Sequence, residues 1–505
     1  MDPIYEDGKY QIIKSWSGKV KTITSKDFVT TFGTGQFNIP EGATVFESNK
    51  ADCCWSIGGA KYKKPGHWNS SNLLVRTDFK PIDGENFSLD GFHLYNHSVS
   101  ETSSFPKLAF AAGIAVECTS ERLLGFTVNG KNLDCPGRDL LLSNEIRIIE
   151  TASKTTFRNR IIREPSRASR IDPGFTDEIL QEGEIPPPMY GSTLTSLKES
   201  PIQVHPDTGA LSGPSGQAVL ACGGVLKNRS LSSFQLMIHH VSTGKEVSWQ
   251  EESSTGVWVL DWNMNPLKFK WKRVLDVEAR TFHCAVLLGS SLLLFGGTNL
   301  DTGERRPIKP VNIDTTTWEV VPLSSQVSMG DGTLVDLETY HISSQSMIKT
   351  SEDGCIGVGG YRESHGQPGE TAVEQMFHFK FRMINGIVES IQAFYIRSLD
   401  SGPVAHNQIL NTPSGTCKIV AGGTQERWAI VSTTLAAGSP CDLELKDACK
   451  VKLNEDTGDD VVNWIACDSH CKRWFHTICI NMNKGEYDAA MKMKKWLCRR
   501  PDCKK

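Results

Sequence analysis

The stretch that most constrains this 505-residue chain is its end, where metal-binding side chains follow in the order Cys441, Cys449, Cys467, Cys471, His476, Cys479, Cys498, Cys503. Four Cys, one His and three Cys make eight ligands, enough for two closed tetrahedral zinc sites. A segment this short buries too little apolar surface to hold itself together, so bound metal has to supply folding free energy. Read as alternating pairs, Cys441 and Cys449 share one ion with His476 and Cys479, while Cys467 and Cys471 share the other with Cys498 and Cys503. His470 is the alternative to Cys471, although the downstream register favours Cys471.

The words CKRWFHTIC (Cys471 to Cys479) and WLC (Trp496 to Cys498) resemble a PHD finger, the chromatin-reading zinc module. That family puts Trp two residues before the ligand His and another two before the seventh Cys, an arrangement that argues against a RING-type ubiquitin ligase finger. It usually has two residues between the ligands where this chain has three between Cys467 and Cys471. A trimethylammonium donates no hydrogen bond, so its recognition needs aromatic faces around the cation. The resemblance implies cage walls at Trp464 and Trp474, with Pro440 where a third aromatic often stands. Asp460 and Asp468, with Asp456 and Asp459, would pair with basic side chains of a histone H3 tail.

Ahead of the finger the chain reads as all-β. Short Val/Ile/Leu/Phe runs are broken by Gly, Ser, Thr and Pro. Glycine doublets close apolar runs at Gly58–Gly59, Gly223–Gly224, Gly296–Gly297, Gly359–Gly360 and Gly422–Gly423, the later intervals being 73, 63 and 63 residues. A degenerate member with Gly113 sits in KLAFAAGIAV. These six glycine-marked strands resemble kelch repeats, with four strands to a blade. The fold expected is therefore a six-bladed kelch-type β-propeller over residues 8–436, a short linker at 437–440, and the finger at 441–505. The interval 113–224 is expected to carry an insertion, SKTTFRNRIIREPSRASR, read as a basic loop. Arg158, Arg160, Arg163, Arg167 and Arg170 in it are candidates for contact with DNA phosphates.

A formal net charge of −4 points by itself to no polyanionic partner. Seven of the 15 Cys lie in the finger and the other eight follow no framework, which suits a reduced intracellular protein. No run reaches the roughly 18 apolar residues of a membrane span, and the N-terminus lacks an apolar signal region.

A kelch propeller followed by a PHD finger closely resembles the family of V(D)J recombination-activating protein two, the non-catalytic subunit of the RAG recombinase and of its transposon-borne relatives. The words carrying it are GGAKYKKPGHWNSSNLLVRTDF, PPPMYGSTLT and ARTFHCAVLLGSSLLLFGG. The resemblance implies a nuclear accessory subunit that docks on a DDE-type catalytic chain, like that of the RAG recombinase, in a heterotetramer with two copies. It also implies help in binding DNA, and tethering to chromatin through methylated histone H3. The Ala/Gly/Ser linker in place of the family's acidic hinge, and an end two residues after Cys503, point to an invertebrate or transposon-type member.

No P-loop, G-x-S-x-G elbow or H-E-x-x-H motif is present. His239, His240, His283, Tyr340 and His341 form no recognisable catalytic set, so the expectation is that this chain does no chemistry. The rival readings are a kelch-PHD chromatin adaptor without a recombinase partner and a kelch-RING ubiquitin ligase. Co-purification of a DDE transposase separates the first, and self-ubiquitination with an E2 enzyme the second.

Overall fold

The computed structural model describes residues 11–15, 18–24, 39–48, 50, 52–64, 67–70, 74–81, 87–97, 108–132, 141–142, 144–152, 156–162, 181–200, 203–204, 211–212, 214–227, 250–328, 337–363, 370–373, 375–398, 405–411, 417–422, 427–432, 464–466, 474–476, 482 and 484–493. These residues fold as an all-β propeller, with one helix, Lys484–Lys492.

Three of the strands that precede glycine doublets are buried along their whole length. Cys53–Ile57, Ser291–Phe295 and Gly354–Val358 bury every residue. The cause is layering: each such strand lies in a sheet covered on both faces, so no polar alternation is needed. In Ser291–Phe295, Leu292 and Leu294 face one core with Val219, Val257 and Ile313. Leu293 and Phe295 face the next core, with Phe377, Phe379 and Phe381. The outer strand Leu267–Asp276 has one face in solvent and alternates: Phe269 and Trp271 are buried, and Lys268, Lys270 and Lys272 are exposed.

The inner strands Thr44–Glu47, Ala112–Cys118, Thr193–Ser200, Cys284–Leu288, Ser346–Ser351 and Asn407–Asn411 touch in that order, and the last returns to the first. Closure uses the beginning of the chain. Gly18–Thr24 pairs antiparallel with Arg427–Ser432, so the first and last parts of the propeller share one sheet.

The repeats predict six separate sheets, whereas five large hydrogen-bonded sheets form. One has eight strands, because Phe87–His97 and Thr156–Ile162 pair in parallel through Thr156↔Asn96 and Phe157↔His97. Its two antiparallel halves still pack on each other around Phe46, Trp55, Leu123, Ile149 and Phe157.

Two further expectations are corrected. Gly113 does not close a doublet strand; it lies within the inner strand Ala112–Cys118. Asn129 and Gly130 take the doublet place after Leu123–Val128, with φ of 62° and 106°. Asn is the non-glycine residue that best tolerates that conformation. The basic stretch is not wholly a loop either. Thr156–Ile162 is a strand registered with Ile146–Thr151, burying Phe157, Asn159 and Ile162 while Arg158 and Arg160 face solvent.

The glycine doublets let successive sheets meet. At Gly58 (φ +74°) a Cβ would stand 2.4 Å from the Leu108 carbonyl oxygen, which accepts the Gly59 N–H at 2.6 Å. Gly296 and Gly297 repeat this against Ile342. No side chain fits so close a backbone approach.

Candidate functional site

Two regions carry chemistry singled out in the sequence, and the structure adds a third. In the finger, Trp464–Ala466 and Trp474–His476 form a two-stranded antiparallel ribbon. Its register sets Trp464 opposite His476, Ala466 opposite Trp474 and Ile465 opposite Phe475. Positions 464, 466, 474 and 476 therefore share one face of the ribbon, and Ile465, which is buried, occupies the other. Both expected cage positions and one expected zinc ligand fall on the same face. Cys441, Cys449, Cys467, Cys471, Cys479, Cys498, Cys503, Asp460, Asp468 and the linker 437–440 lie outside the described residues. The donor set, seven thiols and one imidazole, has the chemistry of tetrahedral zinc. The following helix Lys484–Lys492 buries Ala490 and exposes Met491, as well as Met493 just beyond its end.

The second region is the outer strand bearing Arg158 and Arg160. Both are exposed, and Arg160 lies 3.6 Å from Glu150, which also accepts from Arg122 at 3.0 Å. Ion pairs this exposed are screened by water and leave the guanidinium groups available to other anions. Arg163, Arg167 and Arg170 lie outside the described residues.

The third region is the propeller axis, which the sequence did not reveal. Gly42, Phe110, Gly191, Phe282, Ser344 and His406 stand at the entrances of the inner strands, all at φ between 52° and 67°. Each passes a backbone hydrogen bond to the one before: Phe110 to Gly42 (2.7 Å), Gly191 to Phe110 (3.0 Å), Phe282 to Gly191 (2.9 Å), Ser344 to Phe282 (2.8 Å) and His406 to Ser344 (3.0 Å). Phe110, Phe282 and His406 close on one another with ring centroids 4.9–5.2 Å apart. Glu41 Oε1 lies 3.6 Å from His406 Nε2 across the closure seam. Burial pushes Glu41 up to about 7 and His406 down to about 4, so between those values the pair is uncharged.

Of the histidines considered for catalysis, His283 and His341 are described and have different surroundings. His283 is buried, with Nε2 at 2.9 Å from Thr193 Oγ1, and burial together with Arg280 holds it down at about 3. His341 faces the Glu338 carbonyl at 3.2 Å, and Tyr340 is packed on Phe377 with Arg362 above its ring. His239 and His240 lie outside the described residues. Among the described residues no group of three or more His, Cys, Asp or Glu could hold a metal ion. Cys53, Cys54, Cys118, Cys222 and Cys355 are buried free thiols, and burial pushes Cys222 up to about 12.

These shifts fix a pH dependence. His283, His378 and His406 titrate near 3, 4 and 4 when folded, against 6.5 as the ordinary value. The unfolded chain thus binds more protons, so the stability they contribute is complete above about pH 6.5 and lost as pH falls toward 4. Glu41 works oppositely: its contribution is complete below about pH 4.5 and gone above about 7. Calorimetry should show Tm rising from pH 4 to 6.5, and Glu41→Gln should raise Tm at pH 7.5 more than at pH 5. A flat profile would contradict the buried neutral histidines.

No family model matches the chain, and no curated protein matches it. Among solved structures, the chain is similar to one chain of "Cryo-EM structure of RAG in complex with one melted RSS and one unmelted RSS", at 14% identity and a TM-score of 0.42, over 78% of this chain and 96% of that one. It is similar to "Structure of YjhT" at 10% identity and a TM-score of 0.40, over 78% and 94% of the two chains. At this degree of superposition neither neighbour bears on what the chain does. No described helix is long and apolar enough to cross a membrane.

Proposed function

We propose that the chain is a nuclear, non-catalytic accessory subunit of a RAG-like DNA recombinase or transposase. The observation that carries the reading is the pairing of two parts in one sequence: a glycine-marked propeller and an eight-ligand Cys/His array with tryptophans at Trp474 and Trp496. In this reading the eight-stranded sheet counts as two blades of a six-bladed kelch-type wheel. The wheel docks on a DDE-type catalytic subunit, two copies of each forming the assembly, and Arg158 and Arg160 help to hold DNA. The finger binds two zinc ions and reads a histone H3 tail methylated on lysine. Each methyl-lysine contact is weak, and tethering works by raising local concentration at the marked chromatin.

The test is affinity purification from source cells followed by mass spectrometry. A DDE transposase bound at the propeller is the expected result, and chromatin proteins without one would replace the reading by that of an adaptor. For the finger, Trp464→Ala should abolish the preference for trimethylated over unmodified H3 peptide while zinc content stays at two per chain. Discrimination that survived the substitution would place the cage elsewhere.

A further inference from the structure

The outer strand Leu267–Asp276 reads LKFKWKRVLD, and its three exposed lysines have no counterpart in any motif of the sequence. Lys268, Lys270 and Lys272 project from one face at two-residue spacing, about 6.6 Å apart in an extended strand. That is about twice the 3.4 Å rise per nucleotide of a DNA strand. The residues between them, Phe269 and Trp271, are 0% and 2% exposed, so the row offers cations without an apolar anchor. Protein partners are held mainly by buried aromatic and aliphatic anchors, whereas a regular polyanion needs only charge at a repeat.

The surroundings leave these charges available. Lys268 lies 3.7 Å from Glu182, both more than half exposed, a pair that water screens. Asp261, opposite Lys270 in the register, already accepts from Gln217 at 2.7 Å. Glu184 accepts the backbone N–H of Arg273 at 2.9 Å. Lys270 and Lys272 have no ion pair among the described residues. Lys198 joins Lys268 and Lys270 along an open groove of about 330 Å³ that Trp262 and Asp261 also line.

The strand that carries the lysines also packs, through its other face, beside the arginine strand. Gln181, fully buried, donates from Nε2 to the Ile162 carbonyl at 3.1 Å and accepts the Trp271 indole N–H at 2.7 Å. It thereby ties Thr156–Ile162 to the buried face of Leu267–Asp276, where Phe269 and Trp271 pack with Ile146, Ile148 and Ile162, while the three lysines stand on the opposite face of that strand.

We infer that Lys268, Lys270 and Lys272 form a phosphate-contact row for the backbone of duplex DNA, a second basic surface on the sheet next to that of the arginine strand. The inference rests on the reading of the chain as DNA-associated, and it adds a site on a different sheet. Contacts of this kind position the duplex and do not read its bases.

The experiment is a salt titration of binding by the full-length chain to a labelled duplex of arbitrary sequence. K268Q/K270Q/K272Q should flatten the slope of log K against log salt by about 2 to 3, since each phosphate contact contributes about 0.9. The triple Lys→Arg variant should keep the slope. A K349Q control in the inner strand Ser346–Ser351, where Lys349 pairs with Glu352, should also leave it unchanged. An unchanged slope in the glutamine triple overturns the inference. If R158Q/R160Q flattens the slope in that same case, the DNA reading survives without the lysine row; absence of any binding by the wild-type chain removes both. Displacement of the duplex by polyglutamate as readily as by unlabelled DNA at equal charge would assign the row to an acidic protein segment and overturn it too.

Discussion

Replacing Cys467 with alanine is expected to unfold the finger and leave the propeller standing. In the ligand pairing proposed above, Cys467 and Cys471 belong to one ion and His476 to the other, yet all three adjoin the ribbon formed by Trp464–Ala466 and Trp474–His476. In that pairing both ions would hold the same two short strands in register. A structural zinc site contributes about 10–16 kcal/mol of apparent binding free energy, and in a module this small that is folding free energy. Two three-residue strands and a nine-residue helix cannot replace it. Zinc content should fall from two per chain to one or none, and limited proteolysis should cut after residue 440. The main calorimetric transition, which belongs to the layered sheets, should stay in place. A variant that still carries two zinc ions would end the ligand assignment.

How much of this was legible beforehand depends on what each residue has to do. The doublets at Gly58, Gly296 and Gly359 could be read because a positive φ and a close backbone approach leave glycine as the one comfortable choice. Asn129 escaped the reading because asparagine can occupy the same backbone region, so the sequence lacks its doublet just where the structure has one. Gly113 drew attention instead, although its neighbours Ala112 and Ile114 belong to an inner strand. The junction of the eight-stranded sheet was invisible for a different reason. It consists of backbone pairing at Thr156 and Phe157, which leaves no side-chain signature.

The arginine strand had the signature, and its charge hid it. Phe157, Asn159 and Ile162 are buried while Arg158 and Arg160 are exposed, a period-two pattern in which the cations suggested a loop. The same pattern with lysines, in Leu267–Asp276, belongs to no motif and raised no functional expectation. The axial ring could not have been read at all. Phe110, Phe282, Ser344 and His406 share a conformation and a hydrogen-bond role; Phe282, Ser344 and His406 recur every 62 residues, but three different residue types at those places carry no signal of a shared backbone.

The second large effect is expected from Gly296→Ala, measured against Gly303→Ala. Both glycines have positive φ, +59° and +70°, so alanine costs about 1–2 kcal/mol of backbone strain at either. They differ in what the new methyl group meets. At Gly303 nothing lies within 4 Å, and the strain should be the whole effect. At Gly296 the Cβ would stand 2.3 Å from the Ile342 carbonyl oxygen, a backbone atom that no rotamer change can move aside. Ile342 is fully buried, and its carbonyl accepts the Gly297 N–H at 2.8 Å, one of the bonds joining the sheet of Ser291–Phe295 to that of Gly354–Val358. Relieving the clash therefore means parting that junction and leaving a buried donor and acceptor poorly paired, at about 1–3 kcal/mol for each group. Urea denaturation should show Gly296→Ala less stable than Gly303→Ala by about 3 kcal/mol, the gap measuring the contact between sheets and not the conformational cost. Equal losses in the two variants would mean that the sheets are joined with room to spare at this point, and that the doublets serve the turn alone.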